Sequence, residues 1–210
     1  MKTLIYLLSL TCLCCLLNGR ALAQTATHAR TDTGKDVILY PDGTWKFAPE
    51  EAPPKGDSSY GKSASARKAY KPQRGDFAIW YDETKWQLEV RRNDDGNGHL
   101  RLLGTDGYAM VISEGLFIPI ASLKKIALDN ARAAAPDSRV VSEETRTVNG
   151  KEVLCLVIEG TVEQIPFTYY GYYYGGKQGT IQLITFTGQS LFAKYKKDFT
   201  DFLNGLEIQD

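Results

Sequence analysis

Few side chains in this sequence stand at spacings that do chemistry. The two histidines, His28 and His99, lie far apart, and three of the four cysteines, Cys12, Cys14 and Cys15, fall in an apolar run near the start. Cys155 stands within Val153-Leu154-Cys155-Leu156-Val157-Ile158, surroundings that predict a small buried apolar residue rather than a reactive thiolate. These residues give no metal triad and no Cys/His or Ser/His/Asp set, so no cofactor, metal site or catalytic residue is expected. Asn93, Asp95 and Asn97 have the spacing of calcium-loop ligands, with Gly98 at the sharp turn. The twelfth position is Gly104, where such a loop needs a bidentate glutamate, so a hairpin loop is expected. Gly175-Gly176-Lys177-Gln178-Gly179 lacks the phosphate-loop spacing and reads as a turn between strands. Glu50-Glu51 and Glu143-Glu144 read as solvated charge; a hydrolase built on carboxylates would need them in a cleft with raised pKa values.

The remaining chemical feature is Phe167-Thr168-Tyr169-Tyr170-Gly171-Tyr172-Tyr173-Tyr174. In a strand, Tyr170, Tyr172 and Tyr174 point one way, and Phe167, Tyr169 and Tyr173 the other. One set serves the core, and the other leaves phenols on a sheet face or under a helix. Tyrosine joins rigid apolar area to a polar tip and suits recognition; it also suits cross-strand packing. Tyr170, Tyr172 and Tyr174 are the candidate contact residues, for a protein or a glycan.

The elements that must hold this stretch follow from periodicity. Gly179 to Gly188 is a strand with apolar residues on both faces, Ile181, Leu183, Ile184 and Phe186, so both faces need cover. A helix follows, with Ser190 as candidate N-cap and Leu191, Tyr195, Phe199 and Leu203 on one stripe. Asn204-Gly205 is expected to end it with a left-handed glycine. An earlier helix spans 119 to 135, with Leu123, Ile126, Ala127, Ala131 and Ala134 on a stripe and Pro136 as its stop. Asn149-Gly150 signals a hairpin between Arg139–Val148 and Glu152–Glu159. Phe77–Tyr81, Trp86–Val90, His99–Leu103 and Tyr108–Ile112 read as further strands.

Upstream, Met1-Lys2-Thr3, the uncharged run Leu4 to Leu17, and Ala21-Leu22-Ala23 have the layout of a secretory signal cleaved after Ala23. The run is shorter than the roughly 20 residues of a membrane span, so no anchor is expected after cleavage. Basic and acidic residues balance at 25 each, which argues against nucleic acid as partner. The expected organisation is a signal peptide (1–23), an N-terminal segment with a β-hairpin (24–48), a Pro/Ser/Gly-rich linker (49–75) and the main domain (76–210). In the hairpin, Pro41-Asp42-Gly43 is the turn between two β-prone runs. Val37-Ile38-Leu39-Tyr40-Pro41-Asp42-Gly43-Thr44-Trp45-Lys46-Phe47 is similar to a V-I-L-x-x-D-G-T-W-x-F pattern near the start of many exported bacterial proteins.

This order predicts an α+β fold: an antiparallel sheet flanked by helices on both faces, an α/β/α sandwich, preceded by a short hairpin and a linker. The aromatic strand Phe77–Tyr81 with Trp86, the helix from Pro119, the Asn149-Gly150 hairpin and Gly179–Thr187 before a Phe-rich helix resemble the PsbP-like fold family over about residues 76–208. That group includes PsbP, a eukaryotic Ran-binding release factor and the envelope protein DcrB. The resemblance implies an accessory or binding module rather than an enzyme, and carries over no functional residue. The expected role is an exported, non-enzymatic envelope interaction module, periplasmic or extracellular. The alternative is a small-ligand or glycan-binding periplasmic protein.

Overall fold

The computed structural model describes residues 27–31, 36–47, 55–89 and 97–209. The expected signal peptide, Glu50-Glu51 and Asn93–Gly96 lie outside them. The chain divides into two units, residues 1–51 and 52–210.

In the first unit, β1 (Thr27–Arg30), β2 (Asp36–Leu39) and β3 (Trp45–Phe47) form an antiparallel sheet in that order. The expected hairpin is β2–β3. Gly43 turns it at φ 82°, and Asp42 Oδ1 accepts from Thr44 N and Thr44 Oγ1 at 2.9 and 2.6 Å. Leu39 pairs with Trp45 and Val37 with Phe47. Trp45 and Phe47 are exposed and meet edge to face at 5.3 Å. The polar stretch before the hairpin contributes β1, which pairs with β2.

The second unit holds β4 (Lys55–Tyr60), β5 (Lys68–Tyr70), β6 (Phe77–Tyr81), β7 (Trp86–Glu89), β8 (Gly98–Leu102), β9 (Gly107–Glu114) and α1 (Ile120–Ala134). β10 (Arg139–Val148), β11 (Lys151–Val162), β12 (Ile165–Gly176), β13 (Gly179–Gly188), α2 (Gln189–Leu203) and β14 (Leu206–Ile208) follow. Eight strands form a sheet in the order β4-β10-β11-β12-β13-β9-β8-β7, and β14-β6-β5 form a second sheet. The large sheet is antiparallel except where β4 runs parallel to β10.

The expected α/β/α sandwich is overturned: the protein is mostly β, with fourteen strands and two 15-residue helices among the described residues. Eight strands at about 4.8 Å spacing are far wider than a helix of about 10 Å diameter, so one helix per face cannot make a layer. α1 packs chiefly on β11 and β12, and its Lys124 pairs with Glu143 of β10 at 2.8 Å. On the other face α2 shares the cover with the small sheet. The opening aromatic strand β6 lies outside the large sheet and pairs with β5 and the last strand β14.

The centres of both helical stripes are buried: Leu123, Ala127 and Ala131 on α1, and Tyr195, Phe199, Phe202 and Leu203 on α2. Each large apolar side chain so buried contributes about 1.5–3 kcal/mol. Of the other expected members, Ile126 and Leu191 are partly buried and Ala134, at the end of α1, is exposed. Two cap assignments change. α2 starts at Gln189 with Gly188 as N-cap, so Ser190 lies inside the first turn. Gly205 does not adopt the left-handed region; Asn204 stays helical at φ −66°. Glycine is needed there for close approach, because a Cβ would lie 1.8 Å from the Trp80 carbonyl oxygen. The proposed linker is also partly structured, since β4 and β5 fall within it. An edge strand such as β4 is held through its backbone and needs no apolar periodicity.

Candidate functional site

The alternation of β12 sends its tyrosines to opposite faces, as expected, and both faces serve core: Tyr173, on the face opposite Tyr170 and Tyr172, is buried among Ala127, Ala131 and Leu156. Tyr170 and Tyr172, 1% and 0% exposed, lie in the core beneath α2. Tyr174, partly buried, donates to Gln178 Oε1 at 2.7 Å and packs edge-on against Phe77. Tyr170 and Tyr172 are therefore core residues and not a contact surface of the folded chain; the packing alternative describes them.

Their hydroxyls are held by Arg146, whose side chain is 12% exposed. Arg146 Nη1 donates to Tyr170 Oη at 2.5 Å and to Tyr172 Oη at 3.0 Å. Its Nε donates to Glu144 Oε1 at 2.7 Å, Nη2 pairs with the same carboxylate, and the guanidinium lies over the Tyr60 ring. Glu144 and Arg146, two residues apart on β10, share the α2 face, opposite Cys155 and Val153 of β11. Tyr172 donates onward to Asn204 Oδ1 at 2.9 Å. Asn149 Nδ2 donates to the carbonyls of Asn204 and Leu206 at 2.9 and 2.7 Å, and Asn149 Oδ1 accepts from Lys62 N at 3.0 Å. One polar chain thus joins β10, β12, the end of α2 and β14. Burial pushes the Tyr170 and Tyr172 phenols above their ordinary range and Cys155 up to about 12. These groups stay neutral, and Cys155 is no thiolate nucleophile.

Carboxylate chemistry has no better footing. Asp82, Asp137 and Asp42 are shifted down, chiefly by hydrogen bonds from Thr84, Thr161 and Thr44 respectively, the wrong direction for a general acid. The cleft lined by Ser65, Asp82, Lys85, Trp86 and Asp198 encloses about 10 Å³, space for a single water. Lys85 closes it by donating to Asp198 at 2.6 Å. Among the described residues no three His, Cys, Asp or Glu side chains are grouped to hold a metal. His28 lies on β1 and His99 on β8.

The opposite face of the large sheet carries what the sequence did not single out. Tyr169, Phe186 and Tyr108 stand in register on β12, β13 and β9, and all three are partly exposed. The Tyr108 and Phe186 rings stack at 5.5 Å with planes 24° apart, and Tyr169 tilts onto Phe186 at 5.9 Å. Arg101 of β8 continues the row as the cross-strand partner of Tyr108. α1 packs chiefly on β11 and β12, and Tyr169 of the row packs against the apolar cluster that Ala127 and Ala131 of α1 form with the sheet. Met110 and Ile112 are partly buried beside it, and the buried Gln182 Oε1 on this face has no hydrogen-bond partner. Finding the row requires the registers of β12, β13 and β9 together; the only local signal was the second tyrosine set of β12.

No family model matches the chain, and no curated protein matches it. Among solved structures, it is similar to cyanobacterial PsbP (CyanoP) from Synechocystis sp. PCC 6803, with a TM-score of 0.51 and 13% identity over 70% of this chain and 95% of that one. The protein of unknown function PA94 from Pseudomonas aeruginosa aligns at a TM-score of 0.47 and 9% identity, covering 68% of this chain and 97% of that one. A Bacteroides thetaiotaomicron structure aligns at 0.43 and 14%, covering 69% and 49%. The main unit has a PsbP-like fold, and at this identity the similarity speaks to fold alone.

Proposed function

We propose that this chain is an exported, non-catalytic binding module whose contact surface is the row Tyr169–Phe186–Tyr108. The carrying observation is that three aromatic side chains stand in register and partly exposed on the sheet face beside α1. Adjacent exposed apolar groups of this kind mark contact surfaces. Export rests on the apolar run Leu4–Leu17 before Ala21-Leu22-Ala23.

The ring geometry favours a protein over a glycan. Sugars stack on free ring faces, whereas Tyr108 and Phe186 turn their faces toward each other. The apolar ring area and the Tyr108 and Tyr169 hydroxyls together suit the apolar side chains and backbone groups of a polypeptide. The test is crosslinking capture of tagged protein from its own cell envelope, comparing wild type with Tyr108→Ala plus Tyr169→Ala. The reading expects a dominant protein adduct lost in the variant; an unchanged adduct contradicts it.

A further inference from the structure

We infer that Asn149 is a deamidation site gated by the fold. Its side-chain amide is kept while the β10–β11 turn is fastened to the end of α2 and to β14. The amide is lost when that junction opens, and its loss loosens the junction when the chain closes again.

The chemistry follows from sequence. Asn149 precedes Gly150, and Asn204 precedes Gly205. Asparagine is a labile residue, most of all before glycine, where no Cβ hinders approach of the next backbone nitrogen. The Gly150 nitrogen attacks Asn149 Cγ and gives up its proton. The Cγ–Nδ2 bond breaks, and the nitrogen takes up a proton and leaves as ammonia. Water then opens the cyclic imide at either carbonyl, to aspartate or to isoaspartate. The sum is a water consumed and an ammonia released.

Burial does not protect this turn, because Asn149 is exposed. Its hydrogen bonds do. Nδ2 has two hydrogens, and both are engaged, by the Asn204 carbonyl at 2.9 Å and the Leu206 carbonyl at 2.7 Å. Oδ1 accepts from Lys62 N at 3.0 Å, and the Asn149 N–H donates to the Tyr60 carbonyl at 2.9 Å. Ring closure draws Cγ onto the Gly150 nitrogen and turns the amide, and that movement breaks the side-chain bonds. The second Asn-Gly pair is locked at the same place. Asn204 Oδ1 accepts from Tyr172 Oη at 2.9 Å, and the Gly205 N–H, the nucleophile there, is committed to the Phe202 carbonyl at 3.0 Å.

The product does not fit where the amide stood. Aspartate puts an oxygen in place of Nδ2, facing the same two carbonyl oxygens. Two donated bonds become two contacts between acceptors. The damage falls on the link between α2 and β14, while the bonds to Tyr60 and Lys62 are kept.

The experiment ages the purified protein at about pH 8, native and in urea, and follows the tryptic peptide Thr147–Lys151 by mass spectrometry. Deamidation of Asn149 is expected to be about tenfold or more slower in the native protein. Asn149→Asp keeps a residue that tolerates the left-handed turn, and its amides at 204–208 are expected to exchange hydrogen about tenfold or more faster than in the wild type, with those of β12 and β13 unchanged. Asn149→Gly, which keeps the turn and removes the bonds without adding an acceptor, is measured beside it. If Asn149→Asp does not fold and Asn149→Gly does, the effect of the new oxygen is upheld; failure of both to fold overturns it. Equal deamidation rates in native protein and urea overturn the gate. Wild-type exchange at 204–208 in folded Asn149→Asp overturns the loosening.

Discussion

The phenol of Tyr172 donates to Asn204 Oδ1 at 2.9 Å, joining the middle of β12 to the residue that caps the C-terminus of α2. Arg146 holds the same hydroxyl from the other side at 3.0 Å. Tyr172 is fully buried, so both partners lose their bond if the oxygen is removed. Tyr172→Phe is expected to destabilise the protein by about 1–3 kcal/mol, measured as a drop in urea midpoint at constant slope. A change below about 0.3 kcal/mol would show that the oxygen is not holding the two elements together.

Arg146 serves two phenols, a carboxylate and the Tyr60 ring. Arg146→Met keeps much of its volume and removes every bond. The expected cost is about 2–3 kcal/mol, less than for a fully buried pair, because Glu144 is a third exposed and regains water. Arg146→Lys should recover little, since one ammonium cannot reproduce the planar fork. Full rescue by lysine, read by thermal unfolding, would contradict this.

The phenols fix the response to alkali. Tyr170 and Tyr172 are raised above 10, the ordinary phenol value, by burial. Above pH 10 the unfolded chain loses these protons while the folded chain keeps them, so stability falls as pH rises. Below pH 10 both states are protonated and this contribution is complete. Tm is expected to be insensitive to these groups up to about pH 10 and to drop beyond it. Tyrosinate absorbance from Tyr170 and Tyr172 should appear only with unfolding. Full ionisation of every tyrosine in still-folded protein would disprove the buried network.

Cys155 is buried, with its thiol pushed up to about 12 by that burial. In native protein at pH 8 a maleimide should label it at the rate of unfolding, and in denatured protein at once. Rapid native labelling would place the thiol at the surface.

Two glycines separate close packing from conformational freedom. Gly205→Ala drives a methyl into the Trp80 carbonyl, and a loss above about 3 kcal/mol or failure to fold is expected. Gly115 has nothing within 4 Å and no positive φ, so Gly115→Ala should be neutral or stabilise by about 0.4–1 kcal/mol. Equal thermal stability of the two variants would refute the distinction.

Local chemistry was legible where one residue type has one conformational use. Asn149-Gly150 turns β10 into β11 with φ 46° and 80°, as its composition demands. The next turn, Glu163-Gln164, also has positive φ at both residues, 48° and 69°, without turn-forming residues. Long strand pairing on both sides imposes it, and the bounds of β11 and β12 were underestimated accordingly. The two tyrosine faces of β12 followed from alternation, but not which one α2 would cover. That depends on where the helix returns, which Leu191, Tyr195, Phe199 and Leu203 do not encode. Arg146 is one of 25 basic residues, and only the β10–β11–β12 register brings it to the phenols. Layer count failed for a related reason: two helical stripes were visible, but not the width of the sheet they had to cover.

The most direct test of the binding surface compares photo-crosslinking from position 108, in the aromatic row, with that from position 193, exposed on α2. Both are read in the native cell envelope at matched expression. The account predicts a discrete protein adduct from position 108 and none from position 193. Equal adducts from both positions, or an adduct from position 193 alone, would contradict it.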